Sequence, residues 1–274
     1  MGVTATALSI TACLAVAACS GVSSPGGQAS TSSSAPSSGP FTAQPSAGTA
    51  GAPVTTASPT GTPTATALPT AGTTRPATGV KADLQKLVLR AGDLPASWRA
   101  SPPRASTTSD AQSNAALAKC AGGRDTSADE LAKVESDDFT LQNSTISSSA
   151  SREKSQADVE ADTALLRRPA VAACFRTVAL AGLRASLPAG AKIGTVDVKV
   201  HPGANGGPTN LADILTSAVQ ITAQGRRVSV YVDAAFLTGP RTEAEIDFEG
   251  LGARVSTQMQ ARLIKIVAAR VARG

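Results

Sequence analysis

A hydrolytic centre needs a nucleophile, a base and a group that orients the base, and the residues able to fill those roles are thinly spread in this chain. Its one histidine, His201, is followed by Pro202 and Gly203 in the run HPGANGGP, which reads as a surface turn. No G-x-S-x-G occurs beyond residue 80, which disfavours serine hydrolase chemistry of the α/β type. GANGGP is flexible enough to wrap a phosphate but lacks the Lys and Ser or Thr of a P-loop. Carboxylates are better represented. Glu243, Glu245, Asp247 and Glu249 alternate along EAEIDFE, and Asp137 and Asp138 adjoin another apolar run. Such a row could gather a cation, or two of its acids could converge on a wall glycan, but a solvated strand face is the plainer expectation. The sequence thus predicts no catalytic residue, no metal ligand and no cofactor.

The cysteines carry more information. Cys120 and Cys174 lie far apart, with no CxxC spacing and no second pair, which argues against a metal site. An even pair outside the cytoplasm predicts a disulfide, which would stabilise the fold by about 3 to 4 kcal/mol in the chain-entropy model. The compartment follows from the N-terminus. Val3 to Ala18 is an apolar stretch of about 16 residues, closer to the core of a signal peptide than to the roughly 20 residues of a spanning helix. It ends on Val16, Ala17, Ala18 and Cys19, a run that resembles the lipobox of bacterial lipoproteins. The resemblance implies that residues 1–18 are a lipoprotein signal peptide and that Cys13 is lost with it. It also implies that Cys19 takes fatty-acyl chains such as palmitate and becomes the new N-terminus. Each buried CH2 would contribute about 0.8 kcal/mol, so two chains anchor firmly. MGVTATALSI departs from the usual signal peptide in carrying no Lys or Arg.

Residues 19–80 are rich in Ser, Thr, Ala, Gly and Pro, as in SPTGTPTATALPTAGTTRP, and no charged residue precedes Arg75. Too little apolar surface is present to offset the entropy of ordering, which predicts a disordered spacer. As a flexible coil it would span on the order of 40 Å, and stretched towards polyproline II more than about 150 Å. Apart from Arg75, the charged residues lie in the remaining 81–274, the length of one domain. The net charge of +5 and a 3% aromatic content give weak grounds for nucleic acid, and no such partner is expected.

In that domain a short helix around Leu84, Leu87 and Val88 precedes a Gly92 and Pro95 break and the only tryptophan, Trp98. Asp110 would cap a second helix carrying Cys120. DDFTLQNSTISSSA reads as a bulged strand or two strand pieces, with Ile146 on the face opposite Phe139 and Leu141. A polar helix is expected from Arg152 to about Arg167, and Pro169 opens another with Val171, Cys174, Phe175 and Val178 on its core face. TVDVKV, VSVYVDAAF and EAEIDFE alternate as strands with one buried and one wet face, as in an antiparallel sheet. Gly225 and Arg226 would turn a hairpin between strands around Ile214–Gln224 and Val228–Leu237. A last helix, about Ala253 to Val271, sets Leu263, Ile264, Val267 and Val271 on a stripe, with Arg254, Arg262, Lys265 and Arg273 on a basic flank. This order predicts an α+β domain: an antiparallel or mixed sheet, helices packed on one face, and one disulfide.

AGDLPASW, the Cys120 segment, the helical pair ending in VAACF, VSVYVDAAF followed by GPR, and LIKIVAARV together resemble lipoproteins of actinobacteria. Their extracytoplasmic domain is similar to the sensor domain of protein kinase H of mycobacteria, and the likeness covers about residues 81–272. It implies a mixed sheet with helices around a cleft, an unidentified ligand, and no catalytic residues to carry over. The expectation is therefore a lipoprotein on the outer face of the cell membrane, held through an N-terminal lipid, whose domain binds or senses an unknown envelope ligand. A lipid or glycolipid carrier, and a wall enzyme using Asp137, Asp138, Glu243 or Glu245, are the alternatives.

Overall fold

The computed structural model describes residues 77–104, 108–203 and 208–274, so the expected signal peptide, Cys19 and nearly all of the expected spacer lie outside the described residues. The described chain runs α1 (Ala77–Leu84), β1 (Arg99–Ser101), α2 (Thr108–Cys120), β2 (Glu130–Glu135), β3 (Asp138–Leu141) and β4 (Ser144–Glu153). It continues with α3 (Gln156–Leu166), α4 (Val171–Ser186), β5 (Lys192–Pro202), β6 (Leu211–Ala223), β7 (Arg226–Gly239), β8 (Thr242–Leu251) and α5 (Thr257–Val271). The strands form one eight-stranded antiparallel sheet in the order β1-β3-β4-β8-β7-β6-β5, with β2 beside β3 on the same edge of β4. The domain is α+β with one disulfide, the class the pattern predicts.

Two-residue turns set the register. Ala223 pairs with Arg226, so the β6–β7 turn is Gln224-Gly225, one residue earlier than expected. Both residues have positive φ, 51° and 75°, as a type I′ turn requires, and glycine takes that conformation without a Cβ penalty. DDFTLQNSTISSSA makes two strands joined at Gln142-Asn143, and Phe139 pairs with Ile146 on the same face. The polar helix starts at Gln156, not Arg152. Ser155 accepts from the Asp158 amide while the Asp158 carboxylate accepts from the Ser155 amide, a capping box that fixes the start. Arg152 and Glu153 belong to β4 instead.

Helices lie on both faces of the sheet, not on one. Successive side chains of β7 point to opposite faces. Ala235 and Leu237 join a core with Leu84 and Val88 and with Leu263, Ile264 and Val267 of α5. Ala234 and Phe236 join another with Leu117, Leu165, Val171 and Phe175 from α2, α3 and α4. The α5 stripe is fully buried as expected, each side chain contributing about 1.5–3 kcal/mol. Arg254 lies ahead of this helix, over the Tyr231 ring and paired with Asp233, so it is no part of a basic flank. Among the described residues no helix is long and apolar enough to cross a membrane.

Candidate functional site

β8 lies mid-sheet between β4 and β7, and nine of its ten residues are buried. Ala244, Ile246 and Phe248 face the α5 core. The acidic residues face the other way and are buried too, Glu243 beneath α3, so the expected wet face is a second buried one. Alternation shows that two faces differ; it cannot show whether a helix lies over the polar one. Glu245 is 1% exposed and Glu243 3%.

Across the sheet the acids meet hydroxyls. Asp247 is opposite Ser147, Glu245 opposite Ser149, and Glu243 opposite Ser151. Glu153 ends β4 on the same face and is fully buried. Asp162 projects from α3 and accepts from the Thr126 hydroxyl at 2.8 Å. A cavity of about 10 Å³, room for one water-sized group, lies between Glu243, Asp162, Thr163, Phe236 and Thr238.

The row is not uniform. Lys133 of β2 acts on Glu245, and Arg104 acts on Glu249 and Asp138. At the Glu243 end, the charges acting from other described residues are Asp162, Glu153 and Glu130, all acidic. Among the described residues, neither carboxylate oxygen of Glu243 has a hydrogen-bond partner, and Glu245 Oε2 has none. Removal from water, then repulsion by Asp162, pushes the Glu243 carboxyl up to about 9. Burial and then Asp247 push Glu249 up to about 8. The same two causes hold Glu245 well above the carboxylate range, and burial lifts Asp162 to about 6. A carboxylate so placed either carries a proton at neutral pH or receives a positive group that water cannot replace. The space beside Glu243 does not admit a sugar ring.

The other predicted residues fall elsewhere. Asp137 sits in the β2–β3 connection and is exposed, two strands from β8, so it does not converge with Glu243. His201 lies exposed on edge strand β5, its Nε2 3.3 Å from the Thr216 hydroxyl; it ends a strand and is not in a turn. Residues 204–207 of GANGGP lie outside the described residues, as does the side chain of Asp110. Cys120 and Cys174 are bonded, Cα atoms 5.6 Å apart, joining the end of α2 to the first turn of α4. Among the described residues no group of three or more His, Cys, Asp or Glu is placed to hold a metal ion. Sequence reasoning missed Asp162, Glu153 and the serines of β4. The one available signal was SSSASRE, small hydroxyl residues at the period-2 spacing of a strand, next to a capping box. Compared with known proteins, the chain matches no family model, no curated protein and no solved structure.

Proposed function

We propose that this protein is a lipid-anchored lipoprotein of the cell envelope, held on the outer face of the cell membrane through Cys19, whose domain is a non-catalytic module that binds or senses a ligand through a primary-amine group. One observation carries the ligand class: Glu243, buried and without a hydrogen-bond partner among the described residues, lines a space for one small group and has only acidic neighbours among the described charges. An ammonium head fits that space and supplies donors to the two unpartnered Glu243 oxygens. The lipobox-like run before Cys19 and the likeness to actinobacterial lipoproteins with kinase-sensor-like domains support the anchor and the sensing role.

Spermidine and lysine methyl ester, added to the purified protein at pH 7, are expected to raise its melting temperature by roughly 3–6 °C at tenfold excess over Kd. Tetramethylammonium, too bulky for the space, leaves it unchanged, and Glu243→Gln abolishes the response. If neither amine shifts the parent at 10-fold higher concentration, the amine class is wrong. The anchor is tested separately. Cys19→Ala is expected to leave the protein unacylated and released from the membrane fraction, whereas Cys120→Ala stays membrane-bound; equal retention of the Cys19 variant overturns the assignment.

A further inference from the structure

On the opposite side of the sheet from the carboxylates, the segment after α1, the end of β4 and the end of α5 enclose a groove of about 770 Å³. Its lining includes the side chains of Lys86, Arg90, Arg152, Arg270 and Arg273, with Asp83 the acidic side chain among them. Asp83 is engaged by Lys86 at 3.0 Å. Arg270 is held rigidly: its guanidinium donates to both Asp93 oxygens, at 2.8 and 2.6 Å, and to the Val88 carbonyl at 2.8 Å. Asp83 pairs with Lys86 and Asp93 with Arg270, so the side chains gathered here are mostly cationic. Chain segments about 180 residues apart bring these charges together, and like charges so gathered are unfavourable without a counter-charge.

We infer that this groove is a binding site for a phosphate-ester anion. Arginine forks match two phosphate oxygens at once, and a lysine ammonium adds a third, rotatable donor. Arg90 spends one of its N–H groups on the Lys86 carbonyl and keeps the rest for a ligand. Arg273, exposed just past the α5 terminus, supplies the facing fork. The groove is far larger than a phosphate alone, so the anion is the head of a larger molecule: a soluble phosphate ester or a lipid headgroup. None of these residues touches the Glu243 cavity, so this site and the amine site stand or fall independently.

The test uses the full chain carrying Cys19→Ala, so that no acyl anchor contributes. One arm titrates sn-glycerol 3-phosphate; the other measures sedimentation with phosphatidylglycerol or phosphatidylcholine vesicles. The expected result is saturable binding that Arg90→Gln with Arg273→Gln weakens about tenfold or more, the loss of two charge-assisted contacts. Arg226→Gln with Arg227→Gln, at the far end of β7, changes it less than twofold. Binding of the soluble ester identifies a soluble source. Binding confined to phosphatidylglycerol vesicles, with the same dependence on Arg90 and Arg273, identifies a headgroup. No saturable binding in either arm, or equal loss in both variant pairs with circular dichroism unchanged, overturns the site.

Discussion

Glu243→Gln is expected to raise the melting temperature at pH 8 by about 10–20 °C while leaving it within about 4 °C of the parent at pH 5. The folded-state carboxyl sits at about 9, against the ordinary 4.5 that the unfolded chain regains. Between those values the native state binds more protons than the unfolded state, so stability falls as pH rises through that window. The cost of keeping this group uncharged is about 3 kcal/mol at pH 7 and about 5 kcal/mol at pH 8, and glutamine removes it without changing the shape. Glu249, up to about 8, and Asp162, up to about 6, slope the same way, so the variant's pH profile flattens but does not become level. The groups facing Glu243 are Asp162 from α3, Glu153 and Ser151 from β4, Glu245 on its own strand, and Glu130 from β2. A parent whose melting temperature rises from pH 5 to pH 8 would contradict this account of the buried row.

Loss of the Cys120–Cys174 bond carries the other large effect. The bond closes a loop of 54 residues, for which the chain-entropy relation gives about 4 kcal/mol, or roughly 8–16 °C in a domain of this size. Cys120→Ala with Cys174→Ala should therefore melt that much lower, with the same far-ultraviolet circular dichroism at 20 °C. Cys120 is exposed, so dithiothreitol reaches the bond in the folded protein and should produce the same shift without any mutation. Dithiothreitol that leaves the melting temperature unchanged would contradict the bond.

What the sequence made legible follows the range of the interactions involved. The α5 stripe could be read because a 3.6-residue period sums over four turns, and Cys174 could be placed because it shares such a period with Val171, Phe175 and Val178. The strands β5 to β8 were recognisable from their alternation. The β6–β7 turn was misplaced by one residue because Gly225 fits either register and the chain takes the one with positive φ at both turn positions. β2 went unseen: ELAKVE is short, half polar, and held by pairing with β4, which nothing local signals. The buried carboxylates were visible as residues but not as a site. Residues 153, 162 and 243 are brought together by the pairing of β4 with β8 and the seating of α3 over both, which are properties of the closed sheet and leave no mark on any short stretch.

The position of β8 also constrains when this domain can form. The strand that completes the sheet's centre is the last one made, and it must insert between β4 and β7, about a hundred residues upstream and directly upstream respectively. Until residue 251 is available the two halves of the sheet have no common seam, so a nascent chain lacks a stable fold. Long-range pairing of this kind slows closure. Truncation before Thr242 should therefore yield a chain that is cleared by proteases instead of a smaller domain.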